Sequence, residues 1–223
     1  MKKVSKTLKD HYEKIFKVYG PTPKGVDWGE EEKNLNLRYK KILAILHDSV
    51  VNEPTFLDVG CGFGGLLRYT NAMKIKLRYT GIDIAENMIK WARKNFPKHK
   101  FLLGDILETD FPHRYDYVVC NGILTQKLNT PGLLMDKYAH KLIRRMYSLC
   151  LKGIAFNVMT TKVNYFANNL YYRNPAELLS WCMNEISRYI RLDHSYPLFE
   201  YTVYIYREPK VKSLPIPLGK IRQ

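Results

Sequence analysis

The chain is poor in every feature that would take it out of the ordinary globular class. Only four of its 223 residues are cysteine, and Cys61, Cys120, Cys150 and Cys182 show neither C-x-x-C pairing nor the spacing of metal ligands. That excludes a disulfide framework or a zinc ribbon, and reduced thiols with no bound metal are expected. No apolar run approaches the roughly 20 residues that cross a bilayer. The basic start Met-Lys-Lys-Val-Ser-Lys is not followed by an apolar h-region or a cleavage site. No internal repeat is present. These absences leave a cytoplasmic globular domain with a full core, for which a hydrophobic content of 46% is ordinary.

Positive charge, by contrast, is plentiful, with a net +15. Residues 1–10 and 208–223 each carry a net +3, which leaves +9 on the body. A basic surface favours anionic partners, including nucleic acid. A solvated lysine-rich surface gives the same count, so charge alone assigns no partner. Residues 208–223, with Pro209, Pro215 and Pro217 among their charges, read as a flexible tail.

The most informative stretch is Asp58-Val-Gly-Cys-Gly-Phe-Gly-Gly65, between the strand-like Thr55–Val59 and a helix-like run that opens near Leu66. Glycines at such a turn let the backbone bend sharply and let a ligand lie against main-chain N–H groups. Gly60, Gly62 and Gly65 satisfy the dinucleotide pattern G-x-G-x-x-G. Asp58 argues against that reading, because a pyrophosphate here would meet a carboxylate of its own sign. A ligand with a positively charged amino-acid end would gain a charge-assisted hydrogen bond instead. S-adenosylmethionine has such an end and no phosphate.

Strand-like runs at 54–59, 77–82, 99–103, 115–121 and 153–158 alternate with helical stretches at 64–73, 86–95, 131–150 and 175–188. Alternation of this kind predicts an α/β fold with a mostly parallel sheet covered on both faces. Two further helices are expected at 6–18 and about 30–47, and an edge hairpin at 189–194 and 200–206. Ligands of such sheets bind at the carboxyl ends of the strands. Asp83 ends the second strand and is placed to accept ribose hydroxyls; Ile84 and Met88 follow it, where Met88 suits either core packing or an adenine. Trp28, in the Gly- and Pro-rich loop 19–28, either anchors that loop or caps a ligand.

The D-x-G-x-G-x-G arrangement at Asp58, Gly60, Cys61 and Gly62 resembles motif I of class I S-adenosylmethionine-dependent methyltransferases. The resemblance covers about residues 30–207 and implies a Rossmann-like, seven-stranded sheet closed by a C-terminal antiparallel hairpin. It divides the chain into an N-terminal helical cap over the cofactor (1–48), a methyltransferase core (49–207) and the tail (208–223). It also implies that Asp105, with Ile106 beside it, accepts from the adenine amino group; the alternative is that Asp105 caps a turn. Arg38 is then either a surface charge or the cation for the cofactor's carboxylate. Asn121 stands where base-methylating relatives carry N/D-P-P-Y/F, but here the sequence runs Asn-Gly-Ile-Leu; it lines the acceptor site or satisfies strand-end backbone. More narrowly, the segments Gly-Pro-Thr-Pro-Lys-Gly-Val-Asp-Trp, Lys-Gly-Ile-Ala-Phe-Asn and Phe-Glu-Tyr-Thr-Val-Tyr-Ile-Tyr are similar to bacterial small-molecule methyltransferases of surface-polysaccharide modification.

The implied chemistry is in-line displacement, with S-adenosylhomocysteine as product and alignment and desolvation as the protein's part. Tyr165, Tyr171 and Tyr172, in a long insertion after the fifth strand, suit a sugar-type or other polar small-molecule acceptor. Transfer to a hydroxyl needs a base, for which His194 and then His140 are the expected histidines. An RNA methyltransferase that uses the basic surface is the second expectation. A nucleotide-dependent oxidoreductase and a non-catalytic homologue are further alternatives, and both sit poorly with Asp58, Asp83 and Asp105 together.

Overall fold

The computed structural model describes residues 1–47, 49 and 51–208. The expected tail lies outside them except for Glu208. Thr55–Val59 (β1) is apolar on both faces and buried from its second residue onward, as expected for a strand covered on both sides. It pairs in parallel with Arg78–Asp83 (β2) on one flank and with Tyr115–Cys120 (β4) on the other. Lys100–Leu103 (β3) lies outside β2, and Cys150–Thr160 (β5) outside β4, again in parallel. Glu200–Tyr206 (β8) then runs antiparallel to β5, and Ile190–Asp193 (β7) antiparallel to β8. The order β3-β2-β1-β4-β5-β8-β7 places the reversal of chain direction across the sheet between β1 and β4, where a crevice opens at the strand ends.

Each strand alternates between two cores. Leu57, Val59, Val118 and Ile154 face one side, covered by Lys2–Tyr19 (α1), Gly132–Leu149 (α5) and Pro175–Glu185 (α6). Phe56, Tyr117, Val119 and Ala155 face the other, covered by Glu32–Leu43 (α2), Gly65–Ala72 (α3) and Glu86–Asn95 (α4). The expected Rossmann-like sheet with its antiparallel C-terminal pair is what forms.

Three details depart from expectation. An eighth, two-residue strand, Tyr172–Arg173 (β6), pairs with the end of β5. The second helix ends at Leu43 and finishes as a 3-10 turn over Ala44–Leu46. The fifth strand begins at Cys150, with no loop after α5. Its abrupt start is made possible by Arg207, whose guanidinium donates to the carbonyls of Tyr147 at 2.6 Å and Cys150 at 2.9 Å. A distant side chain thus adds donors to the carbonyls at the helix-to-strand junction.

The start of α6 is fixed locally. Asn174 accepts from the Ala176 N–H at 2.9 Å and Pro175 takes the first helical position. Asn174→Ala should lower stability by about 1 kcal/mol in denaturant unfolding, with the slope unchanged.

Candidate active site

The crevice between β1 and β4 is a pocket, and the glycine turn after β1 forms its floor. Gly60 has φ +71° and Gly62 φ +53°. A Cβ on Gly60 would stand 2.7 Å from the Ile123 side chain, so both the backbone angle and the space demand glycine there. The turn is held from β2: Gly60 N–H donates to the Ile82 carbonyl at 2.8 Å, and Gly62 N–H to Asp83 Oδ2 at 2.8 Å. The other Asp83 oxygen accepts from Ala85 N–H at 2.8 Å.

Asp58, Asp83 and Asp105 all line this pocket, together with Gly60, Cys61 and Gly62. Asp58 is 2% exposed, and its Oδ2 accepts from the Tyr79 hydroxyl at 2.7 Å. Burial pushes its carboxyl up to about 7; the Tyr79 hydrogen bond pulls it down and the Asp83 charge adds to the rise. Burial also raises Asp83, against the opposing backbone N–H donors. Asp105 fills the turn-capping role, since its Oδ1 accepts from Leu107 N–H at 2.9 Å. Its Oδ2 accepts from Ser5 on α1 at 2.5 Å. Ile84, Met88 and Ile106 give the pocket an apolar side, and Asn121, immediately after β4, stands on its wall.

Helix α1 crosses these strand ends and contributes Leu8 and Tyr12 to the lining. Its Glu13 carboxylate accepts from the Glu86 N–H at 2.9 Å, supplying the N-terminal cap that α4 lacks. Trp28 lines the pocket, and the Arg38 guanidinium stands 4.0 Å from its ring centroid.

Six expected site residues are not on the pocket wall. Arg38 lies behind Trp28 and is ion-paired to Glu200 at 2.9 Å, so its charge is already matched within the chain. His194 follows β7 at the correct end of the sheet but at its far edge, beyond β5 and β8. His140 lies on α5, stacked at 3.8 Å on Trp181 of α6. Tyr171 is buried, and its hydroxyl donates to Asp136 at 2.6 Å. The Tyr172 hydroxyl accepts from Ala167 N–H at 3.1 Å, and Tyr165 is 78% exposed on the rim.

Other wall residues escaped sequence reasoning. Tyr39 and Tyr138 line the pocket from helices. Tyr79 reaches Asp58 because the parallel register pairs Phe56 with Tyr79 and Asp58 with Gly81, which puts both side chains on one face. Alternation along each strand was readable in the sequence; the register between strands was not.

The arrangement fits a cofactor with a cationic amino-acid end, a ribose and no phosphate. Asp58 is a nearly dry carboxylate with one hydroxyl donor, which an ammonium would complete, and three acids would repel a pyrophosphate. A family model described as a methyltransferase domain matches residues 56–152. The chain is a class I S-adenosylmethionine-dependent methyltransferase, and S-adenosylmethionine is its cofactor. It is 28% identical over 150 residues to putative methyltransferase Rv1506c of Mycobacterium tuberculosis (strain ATCC 25618 / H37Rv), a match over 66% of this chain and 90% of that one. The fold is shared with the DhpI-SAH complex, at TM-score 0.64 and 16% identity over 91% of this chain and 97% of that one. It is shared also with human N-acetylserotonin methyltransferase in complex with SAM, at TM-score 0.60 and 15% identity over 87% and 58%.

Asp58→Asn should weaken S-adenosylmethionine binding by about 1–3 kcal/mol in calorimetry, as for a lost charge-assisted bond. An ammonium at Asp58 would select the ionised carboxylate. Wild-type affinity should therefore fall as the pH drops below about 7, by up to about tenfold per pH unit. Tyr79→Phe removes a bond that favours the ionised form, so the midpoint of that fall should move upward.

Proposed function

We infer that the acceptor is a polar small molecule or sugar-type molecule methylated at oxygen, in cytoplasmic steps of surface-polysaccharide modification. The observation that carries this reading is the rim beside β4. There the segment after β5 is tied back to the segment after β4, with Lys127 and Leu128 N–H both donating to the Asn169 carbonyl at 2.8 Å. Tyr165 and Phe166 stand exposed on this tied segment, 78% and 61%. Flat aromatic faces with a hydroxyl beside a strand-end crevice suit a sugar-sized polar ligand.

On this reading Asp58 takes the cofactor's ammonium, Asp83 the ribose hydroxyls and Asp105 the adenine amino group, with Ile84, Met88 and Ile106 against the base. The bound cofactor supplies an activated methyl group. The chain's contribution is to align the acceptor against Trp28, Asn121 and Tyr165 and to exclude water with α1 and the loop that bears Trp28. For a hydroxyl acceptor the proposed base is His11; like His194 and His140 it is not among the wall residues, but it stands on α1, which supplies Leu8 and Tyr12 to the wall. Its Nε2 is 2.9 Å from Asp27 Oδ2, and it is next in sequence to the wall residue Tyr12. A carboxylate beside an imidazole holds its orientation.

The test follows labelled methyl from S-adenosylmethionine into fractions of a source-cell extract. Label is expected in the small-molecule or glycan fraction, and His11→Gln should lower its incorporation at least tenfold with cofactor affinity unchanged. Nuclease-sensitive label would overturn the reading and give the basic surface to RNA.

A further inference from the structure

Glu200, the first residue of β8, is 1% exposed and is not on the pocket wall. A carboxylate in that position is costly unless its lone pairs are used. Both oxygens are used, and each leads to the wall by a different route. Oε2 accepts from Arg38 Nε at 2.9 Å, and the Arg38 guanidinium stacks on Trp28. Oε1 accepts from Asn157 Nδ2 at 3.2 Å, and Asn157 Oδ1 accepts from Gly122 N–H at 2.8 Å. Asn157 is itself 1% exposed. The two routes meet again at the pocket, because a Cβ on Gly122 would lie 2.8 Å from Trp28 Cζ2. Gly122 has φ +108°, a backbone open to glycine, so the turn after Asn121 is set by this hydrogen bond and this contact together.

We propose that Glu200 is the positioning residue for the acceptor side of the pocket, fixing Trp28 through Arg38 and the Asn121–Gly122 turn through Asn157. The inference rests on the assignment of Trp28 and Asn121 to that side. Glu200 touches neither cofactor nor acceptor; it determines where the two wall pieces stand. An outer group of this kind orients the groups that do touch the ligand, and its loss is felt in binding and rate rather than only in stability.

The experiment uses the full chain with Trp91→Phe and Trp181→Phe, so that Trp28 is the sole tryptophan, and S-adenosylhomocysteine as the probe. Glu200→Gln should increase iodide quenching of Trp28 and speed release of S-adenosylhomocysteine by about tenfold, the lower end for outer-partner substitutions. Val203→Ala, on the opposite face of β8, is the control for general loss of stability. Arg38→Lys keeps a charge for Glu200 but loses the planar face, and should expose Trp28 in the same way. Asn157→Ala should speed release with Trp28 still shielded. Unchanged quenching and release in Glu200→Gln would overturn the proposal, as would equal effects from Val203→Ala at matched loss of Tm. If Glu200→Gln does not fold, Arg38→Lys and Asn157→Ala decide, and parental behaviour in both overturns it. A parent chain that binds no S-adenosylhomocysteine would strike the site assignment instead, while Trp28 quenching would still report on Glu200.

Discussion

An ionisable carboxylate kept almost dry at the end of the central strand is the constraint from which the rest of this molecule follows. Among the described residues Asp58 has one hydrogen-bonding neighbour, Tyr79, and burial pushes its carboxyl up to about 7. In an ordinary core such a group would be a defect, with a desolvation cost that one hydroxyl does not offset. On the proposed reading it is one half of an ion pair that the cofactor's ammonium completes. The glycine turn that brings the ligand close, the second aspartate that braces the turn and the helix that covers the opening all serve that pair. The structure gives up some stability at this point in exchange for a site whose affinity depends on a complementary charge.

Much of this architecture could be read from residue order. The strands were legible because they are short apolar runs between helical periods, and the acids were legible because each stands at the end of one. What the sequence conceals is lateral order. His194 looked well placed because it follows a strand that ends at the ligand-binding rim. The strand is at that rim but at the edge of the sheet, and nothing along the chain states that β8 and β5 intervene. Arg38 and Tyr171 stand off the pocket wall for a related reason. Their polar groups meet Glu200 and Asp136, partners 162 and 35 residues distant, and pairings at such range are settled by packing. His11 and Ser5 were missed because one lies on a helix read for its apolar face and the other is a small residue with no periodic signature.

On the proposed assignment, the cofactor and acceptor sides of the pocket are built by different means. The cofactor side is mostly local: a strand, a turn and a helix supply the acid and the glycines within eight residues, and the next strand braces them. The acceptor side is assembled from a loop before the sheet, a strand end in its middle and two buried polar residues near its C-terminal edge. Asp27 extends the pattern, since one carboxylate oxygen accepts from Gln126 at 2.7 Å while also meeting His11. A local motif tolerates changes elsewhere in the chain, whereas a wall assembled from distant parts can be altered from any of them. Differences of substrate in a fold of this kind can therefore arise without a change at the glycine turn.

Helix α1 carries one more implication, for the order in which the molecule is completed. Its polar partners lie far downstream: Ser5 meets Asp105 across 100 residues, and Glu13 meets Glu86 across 73. During synthesis this amphipathic helix leaves the ribosome well before the strands it will cover, with its apolar face unburied. Contacts at such separation are slow to form, because the chain between them must be ordered first. The helix that lines the pocket is thus made before its docking surface exists.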